Sequence, residues 1–443
     1  MAGGPEDAIE RASSVDLMQL ASDVGPVPTQ VGAILGFAPG SHLTLDLVEK
    51  AFEERTGAIP RLRQTLVRTP LGCGRPVWVD DPGFAVSRHV VGVACAAPGD
   101  AESLLECAAR IVTDPLPRDR PLWSASLVTG LSGDRCALVV VFHHVLADGI
   151  GGLAVLASLI DGSASTDAEP FPRRQPSRRR LARDAAASRL RSLARLPASL
   201  AGLGAAFTEL RPGQTPRAPR CSLNRPVGTR RRFAVARVEL SIARSAAHAC
   251  GGTVNDVLLA CASGALEQLL AHRGEQVDRL VVSVPVSGRE ATTAAQLGNQ
   301  VGMMPIAVRC ATPLQERIRS TAEATTRQKT AIRGASSLLL APVFRSLAAS
   351  HLLGWLMEHQ RRVTAFVTNL RGPGSAVNFL GQVVSEIIPL SDVAGNVTTA
   401  FAALSYAGTL SITVATDIDA VPDSDVLVAA LQRELGSLKE IAP

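Results

Sequence analysis

The sequence predicts an α+β protein in two halves, each with mixed sheets and flanking helices, joined by a basic connector. Three observations lead there. The chain has 443 residues, which at ~150 residues per domain is enough for two or three domains with sizeable cores. Its composition is 46% hydrophobic and 19% charged with a mean hydropathy of +0.19, which excludes a disordered chain and a coiled coil. Strand-like and helix-like patterns occur on both sides of an arginine- and proline-rich stretch at 163–225, which divides the chain into 1–162 and 226–443.

In the first half a helix start at Ser14–Asp16 precedes an extended segment, Val31–Phe37. Apolar spacing over Leu45–Thr56 predicts an amphipathic helix that Gly57 ends, and Ala101–Val112 has the same period. Arg61–Val67 and Val77–Val79 are expected as strands, and the apolar runs Leu122–Val128 and Cys136–Phe142 as buried ones. A helix over Ile150–Ile160 follows a glycine start. In the second half, strands are predicted at Arg232–Leu240, Leu280–Pro285, Gly302–Val308 and Ala365–Asn369, with a helix over Thr253–Ala271. Ala402–Tyr406 and Leu410–Thr416 form a hairpin across Ala407-Gly408, and Asp423–Leu438 closes the chain as a helix.

The formal charge of +5 is unevenly distributed: nine arginines against one acid, Asp184, give Arg173–Arg195 a charge of +8, so the remainder carries −3. Leu181, Leu190, Leu193 and Leu196 supply a partial helical stripe within this segment. Such a segment is either a solvated linker or a helix lying on an anionic membrane or lipid-droplet surface. Nucleic acid is not an expected partner, because no aromatics interleave with the arginines. No stretch reaches the roughly 18 uninterrupted apolar residues of a spanning helix, and the polar start MAGGPEDAIERASS does not read as a secretory signal. Eight scattered cysteines without CxxC spacing read as reduced thiols, so a cytoplasmic location without structural metal is expected.

The chemistry concentrates in VVVFHHVLADGIGG, residues 139–152. An apolar strand ends in His143-His144, and Asp148-Gly149 follows within one short loop. A buried imidazole without a hydrogen-bond partner costs on the order of 1–3 kcal/mol, so the pair is either satisfied in the core or kept for chemistry. Adjacent residues of an extended chain point to opposite faces, so one histidine faces a site and the other the interior, which disfavours a shared metal. Asp148 can fix an imidazole or a neighbouring cation, and Gly149 permits the turn into the helix. A neutral imidazole held at a strand mouth is the usual form of a general base. Gly149, Gly151 and Gly152 do not match a phosphate loop.

The string HHVLADG resembles the HHxxxDG motif of the CoA-dependent acyltransferase superfamily, and six further segments resemble its bacterial wax ester synthase/diacylglycerol acyltransferase branch. These are Arg120-Pro121-Leu122-Trp123, Gly252–Val257 (GTVNDV), Ser283–Arg289 (SVPVSGR), Gly298–Val301 (GNQV), Thr368–Pro373 (TNLRGP) and Ser405–Gly408 with Ala415–Asp423. Pro76–His89 is similar as well, so the likeness spans nearly the whole chain; Arg371 stands where that family usually has proline.

The resemblance implies two chloramphenicol-acetyltransferase-like subdomains with the active site at their interface. It also implies transfer of a fatty acyl group from acyl-CoA, as co-substrate rather than cofactor, to a hydrophobic alcohol: a diacylglycerol, giving triacylglycerol, or a long-chain alcohol, giving a wax ester. His144 would be the general base, with Asp148 orienting its loop and Gly149 keeping the channel open beside it. Asn299 could donate to the thioester oxyanion or hold a turn. Asn255 could act in catalysis or in a helix cap, Trp123 could meet substrate or anchor packing, and Arg371 could steady a CoA phosphate. The rivals are an O-acyltransferase of a secondary metabolite, with CoA or a carrier protein as donor, and a non-catalytic lipid- or partner-binding homologue. A long apolar cavity at His144 favours lipid, and a short polar one favours a metabolite.

Overall fold

A computed structural model describes residues 9–23, 25–147, 149–162, 171–194, 217–287, 301–331 and 352–442. The first half opens with α1 (Ser14–Ser22), started by a capping box in which Ser13 and Asp16 satisfy each other's backbone N–H. Next come β1 (Gln30–Phe37), α2 (Leu45–Thr56), β2 (Gln64–Val67), β3 (Val77–Asp80) and β4 (Val90–Ala94). The strand expected from Arg61 starts only at Gln64, a correction with a local cause. Pro60, with its fixed φ, opens a 3₁₀ turn over Pro60–Arg63. That turn lays Arg61 over the Trp78 ring at 4.0 Å and Arg63 over Phe171 at 4.4 Å. The half continues through α3 (Ala101–Thr113), β5 (Trp123–Leu131), β6 (Arg135–His143) and α4 (Gly149–Leu159).

The connector contains α5 (Arg178–Ala194). It is docked on the first half: Leu181 is buried against Cys73, Val77 and Val79, and Asp184 pairs with Arg11 at 2.6 Å. One leucine of the expected stripe is thereby used inside the protein and Leu190 remains 67% exposed; the Leu193 side chain and Leu196 lie outside the described residues.

The second half contains β7 (Arg231–Glu239), α6 (Leu240–Ala249), α7 (Val254–His272), β8 (Arg279–Ser287), β9 (Val301–Arg309), α8 (Leu314–Ala331) and α9 (Leu352–Glu358). It ends with β10 (Ala365–Arg371), β11 (Asn378–Phe379), β12 (Gln382–Leu390), β13 (Thr399–Tyr406), β14 (Thr409–Asp417), α10 (Ser424–Gly436) and α11 (Leu438–Ile441). The β13–β14 turn has positive φ at both Ala407 (45°) and Gly408 (84°), which matches the twist of a tight hairpin.

Twelve of the described strands form two six-stranded mixed sheets, β11-β12-β1-β6-β5-β4 and β7-β14-β13-β10-β8-β9, and β2 and β3 pair antiparallel by themselves. β12 pairs antiparallel with β1, so residues 378–390 of the second half complete the sheet of the first. The split of the chain at 163–225 is therefore not the split between the sheets. On β12, Glu386 accepts hydrogen bonds from Arg237 on β7 (2.9 Å) and Ser411 on β14 (3.0 Å), tying the two sheets together. One core packs α2 and α4 on the first sheet, and a second lies between that sheet's other face, α3 and the ends of β7 and β14.

The third core surrounds α7, which is buried nearly all round by α8, α10 and the second sheet. Among the described residues α7 is the one helix long and apolar enough to cross a membrane, and its apolar surface faces the interior of the protein. Gly264 on α7 leaves room for a buried ion pair between Arg317 of α8 and Glu434 of α10, with Nη1 and Oε2 3.0 Å apart. Arg317 also donates to the carbonyls of Ala260 (3.2 Å) and Thr312 (2.9 Å).

Candidate active site

β6 is buried on both faces from Cys136 to His143, and its continuous apolar run delivers the two histidines to the end of the sheet. There the chain turns tightly. The His143 N–H donates to the Leu122 carbonyl (3.0 Å), the His144 N–H to that of Thr29 (2.9 Å) and the Leu146 N–H back to that of His143 (2.8 Å). The His143 ring is 2% exposed and points inward. Its Nδ1 accepts the Val145 N–H at 3.1 Å, so the proton sits on Nε2, which donates to Asp23 Oδ2 at 3.1 Å. Burial alone would push the Asp23 carboxyl up, but hydrogen bonds from His143 and the Thr29 N–H, with the nearby Arg118 charge, hold it below the usual carboxylate range.

His144 is half-buried and faces the other way, into a cavity of about 160 Å³. The first half lines this cavity with Val31, Gly32 and Ala33 of β1, with Phe142, and with Gly149, Gly152, Leu153 and Leu156 of α4. The second half contributes Pro285, Thr368, Asn369, Leu370, Pro389, Leu390, Ser391, Ala402 and Leu404, so the cavity lies between the two halves. Only His144, Thr368, Asn369 and Ser391 bring polar side chains among its 18 lining residues, which makes it an apolar chamber with one imidazole.

The α4 positions recur at i, i+3, i+4 and i+7, one face of the helix. Its glycines let backbone stand where side chains would otherwise fill space. A Cβ at Gly149 would lie 3.3 Å from Leu370, and one at Gly152 would lie 3.6 Å from the Phe142 ring.

Of the residues singled out from sequence, His144 and Gly149 meet at this cavity and His143 stands behind it. Asp148 and Asn299 lie outside the described residues. Three residues weighed as substrate contacts are not among those lining the cavity. Trp123 is 1% exposed, stacked on Phe52 (5.4 Å) and His89 (4.5 Å), and donates to the Leu62 carbonyl (2.8 Å); it anchors packing. Asn255 sits in the first turn of α7, outside the cavity wall, and the cap there is made by Thr253 with Asp256. Arg371, the last residue of β10, is exposed and lies just beyond the cavity-lining Thr368, Asn369 and Leu370. The sequence reading missed Asp23 and the β12 end Pro389–Ser391; both reach the site through pairings distant in sequence, with no local pattern to announce them.

Comparison with known proteins adds to this geometry. Residues 13–258 match the family model of the wax ester synthase/diacylglycerol acyltransferase catalytic domain, and residues 297–439 match that of the C-terminal domain of the same enzymes. The chain is 29% identical to the probable diacylglycerol O-acyltransferase tgs1 of Mycobacterium tuberculosis (strain ATCC 25618 / H37Rv), over 98% of this chain and 93% of that one. A second protein of that strain, also named for diacylglycerol O-acyltransferase activity, is 32% identical over 72% of each chain. Among solved structures, the wax ester synthase/diacylglycerol acyltransferase of Marinobacter aquaeolei VT8 superposes with a TM-score of 0.68 at 21% identity, covering 98% of this chain and 99% of that one. A starter condensation domain of rhizomide synthetase, solved in complex with C8-CoA, gives 0.63 at 14%, covering 98% and 95%. The fold they share with this chain is a pair of chloramphenicol-acetyltransferase-like α+β subdomains.

Proposed function

We propose, from the premise that this chain belongs to the wax ester synthase/diacylglycerol acyltransferase family, that it transfers a fatty acyl group from acyl-CoA to a hydrophobic alcohol, a diacylglycerol or a long-chain alcohol, with His144 as general base. The observation that carries this reading is the apolar cavity between the halves, with His144 as its imidazole. A polar acceptor would leave its hydroxyls unpaired against Leu153, Leu156, Leu370 and Leu404, whereas acyl chains gain from burial there. The relatives named for diacylglycerol acylation support the acceptor class, and the condensation domain solved with C8-CoA supports a thioester donor.

In this mechanism neutral His144 removes the proton of the acceptor hydroxyl while that oxygen attacks the thioester carbonyl carbon. The C–S bond then breaks, and the imidazolium returns the proton to the departing thiolate. No acyl-enzyme forms, and the apolar walls keep competing water from the thioester. The test is thiol release from palmitoyl-CoA with dipalmitoylglycerol, with hexadecanol and with no acceptor. Release that needs an acceptor and yields the matching ester is expected. Release without acceptor would indicate a thioesterase, and none with either acceptor a binding protein; each overturns the proposal.

The enzyme would act in the cytoplasm, in keeping with its eight unpaired cysteines, and meet its lipids by peripheral contact through α5. Arg179, Arg183, Arg191 and Leu190 of α5 face solvent. Beside them, the loop held by the Arg189–Gly72 hydrogen bond (3.3 Å) carries Leu71 at 98% exposure, a basic surface with two apolar tips. Co-flotation with phosphatidylglycerol vesicles is expected to fall when Arg179, Arg183 and Arg191 are replaced by Ala and again at high salt; unchanged flotation would make the segment a plain linker.

A further inference from the structure

Asp23 closes α1 as its C-cap residue, and its side chain, 3% exposed, is held by Thr29, His143 and Arg118. Oδ1 accepts the N–H of Thr29 (2.9 Å) and its hydroxyl (3.3 Å). Oδ2 accepts Nε2–H of His143 (3.1 Å) and an Arg118 guanidinium hydrogen bond. Both arms lead to His144. Through Thr29, Asp23 holds the carbonyl that receives the His144 N–H; through the His143 ring, it holds the Nδ1 that receives the Val145 N–H on the other side.

We infer that Asp23 is a positioning residue that sets the turn presenting His144 to the cavity, acting through Thr29 and the His143 ring. Residue 144 is flanked by two backbone hydrogen bonds, at 144 and 145, and the acceptor of each is itself fixed by one oxygen of the same carboxylate. A general base displaced by about an ångström loses on the order of a hundredfold in rate, so the value of this clamp lies in the rate constant rather than in substrate affinity. The carboxylate lies 120 residues before His143 in sequence and touches none of the residues lining the cavity except through this turn.

The inference rests on His144 being the base, and its test separates the two. Asp23→Ala is expected to lower kcat about 10- to 100-fold with KM within about threefold. Asp23→Asn keeps one acceptor oxygen and is expected to recover part of that loss. In ¹⁵N spectra of the imidazoles, the Nε2–H form of His143 should be fixed in the parent and lose that single form in Asp23→Ala. Thermal unfolding of each variant identifies the folded protein on which kcat is compared. A folded Asp23→Ala with parental kcat, or a loss confined to KM, or Asn no better than Ala overturns the role of Asp23 even if His144→Ala is silent. An active His144→Ala overturns the base assignment and, with it, this inference.

Discussion

Replacing His144 with alanine is expected to lower kcat for acceptor-dependent thiol release by about 10²- to 10⁴-fold, the usual contribution of a positioned general base. The fold should hardly respond. His144 is half-buried at the wall of an existing cavity, so its removal enlarges open space instead of emptying a packed core. Its backbone N–H keeps the Thr29 carbonyl whatever the side chain. Any loss of stability should fall at the lower end of the roughly 0.5–3 kcal/mol usual for point substitutions. Steady-state kinetics and thermal unfolding on the same preparation check both halves of the expectation. A variant that retains most of the activity leaves the imidazole without its assigned role.

Gly264→Ala is expected to have the largest effect on stability, far from the histidine cavity. A Cβ there would collide with Arg317 Nη1 and with the Glu434 carboxylate, so one methyl group separates the buried pair. Breaking a buried ion pair while leaving its charges inside costs about 3–5 kcal/mol. The loss should be read as a lower denaturant midpoint, with activity per folded molecule preserved. Replacing the pair by apolar residues, Arg317→Met with Glu434→Leu, in the same background should restore most of it, because no charge is then left to bury. A Gly264→Ala protein as stable as the parent would show that the helices α7, α8 and α10 can part at no cost, against their dense packing.

What was legible beforehand follows the range of the interactions. The sequence reading set one histidine inward and the other toward a site. In the structure β6 ends at His143, whose ring points inward, and the turn that follows it carries His144 to the cavity, a geometry local to a few residues. The β13–β14 turn was legible in Ala407-Gly408 for the same reason. The substrate role weighed for Trp123 did not survive, since one strand could not reveal that Phe52 and His89 enclose its ring. Nor could the leucine spacing of α5 reveal that Leu181 packs inward on Cys73 and Val77.

The sequence by itself determined the α+β content, the basic connector, the HHVLADG strand mouth and, through seven ordered motifs, the family. These rest on backbone periods and side-chain chemistry within a few residues. Only the tertiary structure decided that β12 crosses into the first sheet, that its end at Pro389–Ser391 lines the cavity beside His144, and that Asp23 meets His143. Each of those is a pairing between segments more than a hundred residues apart. Such pairings are selected by the fit of whole buried surfaces once the chain has collapsed, and no short stretch carries their signature.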